Sequence, residues 1–256
     1  MLLRSITKHI KDQNWFAVVL DFVIVVVGIL IAFQITNWNE AQSDKRVARQ
    51  YIERIQEDLL ANQVSIKSRV EYLEGIREHG IRALSALNGP PEELGEVFLI
   101  DAFQASNTVG TSLARDAYDE LLAVGAINII SDVQIRQHLA RFYQSNAGLQ
   151  LLTRNVPAYR DALRSAMPYD VQAAIRTHCT PIVETYEAGI KSIAMPKSCV
   201  PELTDEQVQR AVTAVYEAKL KNHLNRAVAD THEKLQVAQA IEPITQRLYD
   251  ILEASK

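Results

Sequence analysis

The chain has 256 residues, 48% of them hydrophobic, and a formal net charge of −4 with no long run of like charge. That balance excludes a dedicated nucleic-acid surface, which needs clustered Lys and Arg. Nine Gly and eight Pro among abundant Ala, Leu, Glu, Gln and Arg indicate an all-α protein.

In chain order, residues 1–14 form a short tail carrying Arg4, Lys8 and Lys11. Residues 16–35 then include fifteen Leu, Ile, Val or Phe. Each contributes about −0.3 to −0.6 kcal/mol to membrane insertion, against at most about +3 kcal/mol for Asp21. Insertion therefore wins by several kcal/mol. A helix of about 21 residues reaches about 30 Å, one hydrocarbon thickness. Trp15 and Trp38 bracket the run, as aromatic rings do at membrane interfaces. The run is too long for a signal-peptide core, and no small-x-small cleavage site follows it. We therefore expect an uncleaved single-pass anchor over 15–36. Asp21, Val25, Gly28 and Ala32 share one helical stripe, and Gly28 with Ala32 forms a small-xxx-small pair. This stripe is the expected contact with a second membrane helix, from another copy or another membrane protein.

Lys45, Arg46 and Arg49 beyond the anchor balance the three basic residues before it, so the flanking charges tie. Long domains translocate largely regardless of charge, which leaves the short tail the greater say. The two cysteines, Cys179 and Cys199, allow a disulfide, two inert thiols, or a zinc site with His178. Zinc needs about four ligands and no second Cys/His pair is present, so that reading is weakest. A disulfide implies an oxidising compartment. The expected arrangement has the N-terminus cytoplasmic and the C-terminal domain outside.

Asn37, Trp38, Asn39 and Glu40 form a polar exit from the bilayer. A long amphipathic helix is expected over 37–88, with Ile52, Leu59, Ile66, Leu73 and Leu87 in a seven-residue series interrupted at Gly80, and Ile55, Val70, Ile76 and Leu84 in a neighbouring row. Asn62, Gln63, Arg69 and Arg77 stand where a tight coiled coil prefers apolar residues, so the stripe suits a bundle. Gly75 and Gly80 are candidate bends, and the Asn-Gly-Pro-Pro run at 88–91 ends the helix. A helical bundle is expected over 89–256. Its helices are placed at 92–105, at 113–124 capped by Ser112 and stopped by Gly125, and from a capping box at Ser131 to Pro157. A short extended link over 126–130 separates the last two. Leu139, Leu152 and Val156 are among the side chains expected to be buried. Residues 165–203, with four prolines, form an irregular region that a disulfide could close, with a hairpin or helical turn at 183–194. A capping box at Thr204 launches one last long helix, broken or kinked at Pro243, before a terminal helix with Ile244, Leu248 and Ile251.

Two stretches resemble a family of uncharacterised bacterial single-pass membrane proteins. The first is Val27-Gly-Ile-Leu-Ile-Ala-Phe-Gln-Ile-Thr-Asn-Trp-Asn-Glu40 followed by Tyr51-Ile-Glu-Arg-Ile-Gln-Glu-Asp58. The second is the segment from Ala117 to Asp132, continued by Leu139 to Tyr143. The likeness covers about the first 145 residues of the 256. It implies a topology and carries over no catalytic residues.

Chemistry is sparsely signalled. The six histidines include no His-x-x-x-His pair, and there is no Gly-rich phosphate loop or Gly-x-Ser-x-Gly elbow. Ser112, Asp116, Tyr118, Asp119 and Glu120 suit capping and a solvated face. Arg115, Arg136, Arg141, Arg154 and Arg160 could capture an anion, but ordinary helix surface accounts for them. The expectation is a non-enzymatic interaction or assembly protein without cofactor or metal, whose partners are the lipid bilayer and a second copy or another membrane protein. The alternative is a periplasmic ligand sensor relaying through a partner. A membrane-tethered hydrolase comes third, because no nucleophile–base pair is legible.

Overall fold

The computed structural model describes residues 15–186 and 189–255; the expected tail over 1–14 lies outside the described residues. Its contacts divide the chain into two compact units, Met1–Gln50 and Tyr51–Lys256. The architecture is all-α apart from one hairpin.

The first long element, α1 (Trp15–Ala86), is a single helix with no break at the polar exit, at Gly75 or at Gly80. Its early part has no polar face. Every large apolar residue from Val19 to Ile35 is exposed, and this is one helix long and apolar enough to cross a membrane. At the end of the apolar run the Thr36 hydroxyl donates to the Ala32 carbonyl at 3.0 Å, which satisfies it within the helix.

From Tyr51 onward α1 is amphipathic. Ile55, Leu59, Ile66, Leu73 and Ile76 are buried, as the seven-residue spacing requires. Gly80 is kept small by close packing: a Cβ there would stand 2.5 Å from Cγ2 of Val228, a stiff β-branched side chain. The glycine serves helix–helix approach and makes no bend.

After a 3₁₀ turn at Pro91–Glu93, α2 (Glu96–Ala105) is the hub of the second unit. Phe98, Leu99, Ala102 and Phe103 are buried on it. Against it pack α5 (Ala158–Ala166), α6 (Tyr169–His178), α7 (Asp205–Glu217) and α8 (Lys221–Ala254). Leu163, Val171, Ile175, Val215 and Leu224 from these helices close the core. Between α2 and α5 come α3 (Asp116–Ala123) and α4 (Val133–Arg154), and α4 lies along α8. Tyr143 of α4 stacks on Tyr118 of α3, ring centroids 4.2 Å apart, and meets Phe142 edge-on.

Several boundaries differ from expectation. Helix α3 starts at Asp116, with Arg115 and not Ser112 at the N-cap position and no side-chain cap; the peptide before the helix is held by α1, as described below. Gly125 does stop it, in the left-handed region at φ 68°. The link after it is a 3₁₀ turn (Ala126–Ile129) instead of an extended segment. Asp132, one residue after Ser131, caps α4 by accepting from the amides of Gln134 and Ile135. That helix ends at Arg154, leaving Val156 exposed.

The region over 165–203 is more ordered than its prolines suggested. Pro168 caps α6, and the antiparallel strands β1 (Ile182–Tyr186) and β2 (Gly189–Ala194) make a hairpin. Cys179 and Cys199 are joined by a disulfide that brackets it. Thr204 forms the capping box with Gln207. The helix it opens is interrupted after Glu217, where Lys219 takes φ 51°, and α8 begins at Lys221. Pro243 does not break α8. Both Pro243 and Gln239, one turn earlier, are exposed, so water can replace the hydrogen bond that the proline removes. Ile244, on the same side, is exposed as well.

Candidate functional site: anchor face, polar clamp and arginine cavity

Three features carry chemistry, and each begins with residues the sequence marked or half-marked. The first is the anchor face. Asp21, Val25, Gly28 and Ala32 all lie on exposed turns of α1, and a Cβ at Gly28 would meet nothing within 4 Å. Among the described residues nothing fills that notch. Asn37, Trp38, Asn39 and Glu40 continue the helix with exposed side chains, Trp38 being 66% exposed.

The second is a polar stripe on α1 that grips the segment over 110–120. The Asn62 side chain donates to the Ala114 carbonyl at 2.8 Å and accepts from the Ala114 amide at 2.7 Å, although Asn62 is only 1% exposed. Asp58 accepts from the Ala117 amide at 3.2 Å, so a carboxylate of α1 meets the positive end of α3. Glu120 takes a hydrogen bond from Tyr51 and an ion pair from Arg54. Buried Arg69 donates to the Gly110 carbonyl at 3.2 Å. Residues 51, 54, 58, 62 and 69 follow helical spacing. Two of the residues that spoil a coiled coil, Asn62 and Arg69, are therefore part of a clamp.

A related buried pair fixes α2 to α1. Asp101 accepts from His79 at 2.6 Å and from Arg82 at 2.8 Å. Burial pushes the Asp101 carboxyl up, but the hydrogen bonds from His79 and Arg82 and the charge of Arg82 together hold it below its usual range. A carboxyl depressed in the folded state stabilises above the unfolded value of about 3.9 and loses that contribution as pH falls through the folded value. Denaturant melts across the acid range should therefore show stability falling more steeply below about pH 4 in the native chain than in Asp101→Asn.

The third feature is a cavity of about 330 Å³ between α1, α2, α5, α6 and the hairpin. The arginines expected along the central helices disperse: Arg115 pairs with Asp119 at 2.7 Å, Arg136 caps the Ile130 carbonyl, and Arg141 and Arg154 are exposed. Arg160 alone of that set reaches the cavity, where Arg164 and Arg176 join it. Sequence reasoning missed Arg176 because it joins the others only when α5 and α6 pack on α2, and passed over Arg164 although it stands one turn after Arg160 on the same helix. Arg160 donates to the Ser106 carbonyl at 3.0 Å. Arg164 donates to the Ser106 hydroxyl at 3.2 Å and to the Asn107 side-chain oxygen at 3.0 Å. Its guanidinium also lies 4.5 Å from the Phe103 ring centroid. Burial first, then the charges of Arg160 and Arg176, pull Arg164 down to about 10. Burial likewise pushes the Tyr72 hydroxyl on the cavity wall up to about 12.

Among the described residues no three His, Cys, Asp or Glu side chains gather as a metal site requires. No family model matches the chain, and neither a curated protein nor a solved structure is similar to it.

Proposed function

We propose that this chain is a membrane-anchored helical interaction module of the bacterial inner membrane, without catalytic activity, that associates through its spanning helix with a second copy or another membrane protein. The observation that carries the reading is the apolar, exposed run of α1 with an open notch at Gly28 and a carboxylate one face-repeat away at Asp21. An ionisable residue in a spanning helix is expensive unless it faces a partner or water, and small residues let another backbone approach closely. The cytoplasmic N-terminus and periplasmic C-terminal domain belong to the same proposal. The Cys179–Cys199 disulfide supports them, because such bonds persist in oxidising compartments. The likeness of residues 27–58 to single-pass bacterial membrane proteins agrees with it.

Association should be measured with a membrane two-hybrid reporter on the native helix and on Asp21→Leu and Gly28→Leu. A Cβ at Gly28 meets nothing within 4 Å among the described residues, so the substitution acts on the partner contact. Loss of about 1–2 kcal/mol of helix–helix contact predicts a tenfold weaker association. Unchanged signal in both variants would sink the proposal.

A second reading, ligand sensing relayed through a partner, is favoured by the arginine-lined cavity.

A further inference from the structure

We propose that the cavity holding Arg160, Arg164 and Arg176 binds a small organic anion, a carboxylate or phosphate ester with an apolar body. Four other arginines of the second unit meet carboxylates: Arg54 with Glu120, Arg82 with Asp101, Arg115 with Asp119, Arg210 with Asp170; Arg141 and Arg154, which pair with none among the described residues, are exposed to water instead. Among the described residues none of the three cavity arginines forms an ion pair. The chain carries 31 acidic side chains against 27 Lys and Arg, so three converging cations without a paired carboxylate are a local arrangement and no shortage of acids.

Holding like charges together at a half-buried site is unfavourable unless something compensates; burial first, and then the charges of Arg160 and Arg176, lower the Arg164 pKa. An anion would relieve the repulsion. Two of the guanidinium groups are already positioned. Arg160 is tied to the Ser106 carbonyl, and Arg164 is tied to Ser106 and Asn107 and stacked on Phe103. Planar, pre-oriented guanidinium donors suit carboxylate and phosphate oxygens. Val183 and Ile193 of the hairpin and Pro181 give the same cavity an apolar wall. About 330 Å³ lies at the small end of ligand sites, which fits a compact organic anion and excludes a peptide or nucleic acid.

Binding here is independent of association by the anchor, so either can fail alone. The full chain in detergent micelles should be titrated with phenyl phosphate, phthalate, inorganic phosphate and uncharged benzamide, followed by calorimetry and thermal melting. Phenyl phosphate, phthalate or both should bind and raise the melting temperature, tighter than inorganic phosphate and without any response to benzamide. Which of the two organic anions binds tighter identifies the anionic group. Arg176→Gln, which removes a charge but no side-chain hydrogen bond seen in the fold, and Arg164→Gln should each weaken binding at least tenfold, whereas Arg136→Gln should not. Absence of binding by both organic anions, equal binding of benzamide, inorganic phosphate binding as tightly as they do, or affinity unchanged in Arg176→Gln and Arg164→Gln would overturn the proposal.

Discussion

Replacing Asn62 by leucine is expected to destabilise the second unit by about 2–4 kcal/mol, although leucine has the same heavy-atom number and branching and a higher helix propensity. The Asn62 amide satisfies both the N–H and the C=O of Ala114 from a position 1% exposed. Leucine leaves both peptide groups without those bonds in a region that is partly closed to water. Each buried unsatisfied group costs about 1–3 kcal/mol. For a unit of this size that is a melting-temperature fall of roughly 5–15 °C. The loss should be local before it is global, because the peptide that Asn62 holds leads directly into α3. Amide exchange at Ala114 and Ala117 should accelerate in the variant under conditions where the α8 core is still protected. A melting temperature within a degree or so of the native one would show that the clamp contributes little.

Removing the disulfide should have a comparable effect through a different route. Cys179 and Cys199 are 20 residues apart, and closing a loop of that length restrains the unfolded chain by about 3 kcal/mol. Cys179 is also a buried part of the core, beside Gln104, whose side chain donates to the Cys179 carbonyl at 3.0 Å. The double variant Cys179→Ser, Cys199→Ser should melt about 6–12 °C below the native protein. Addition of a reductant should lower the native melt and leave the variant unchanged. An identical melt with and without reductant would mean that the bond contributes nothing to stability. The hairpin forms one wall of the arginine cavity, so its amides should lose protection first.

What could be read from the residues, and what could not, follows the range of the interactions involved. The exposed apolar run of α1, the burial of Leu59, Ile66 and Leu73, the stop at Gly125 and the capping box at Thr204 all depend on neighbours within a turn or two. Those are the features that sequence spacing records. The peptide leading into α3 is held at Ala114 by Asn62, 52 residues earlier. Ser112 looked like a cap because only its local context could be judged. Lys219 at φ 51° has neither the glycine nor the asparagine that normally marks such a conformation, so one helix was expected where α7 and α8 stand. Pro243 has the sequence signature of a breaker, and only its exposure in the fold shows why α8 continues through it. Asn62 and Arg69 were legible as misfits in a coiled coil but not as a clamp, since the groups they hold belong to a distant loop. The arginine cavity combines residues from helices and strands that only tertiary packing unites, and Arg160 was visible without its partners Arg164 and Arg176. The disulfide was one of three open readings of two cysteines.

Most of these features would fold equally well in a protein with no contact with lipid; the apolar run of α1 would not. The direct test is alkaline carbonate extraction of membranes from cells producing the full chain. The account predicts that the protein stays with the membrane pellet, as a chain held by a spanning helix over 15–36 must. Release of the intact protein into the carbonate supernatant would contradict it.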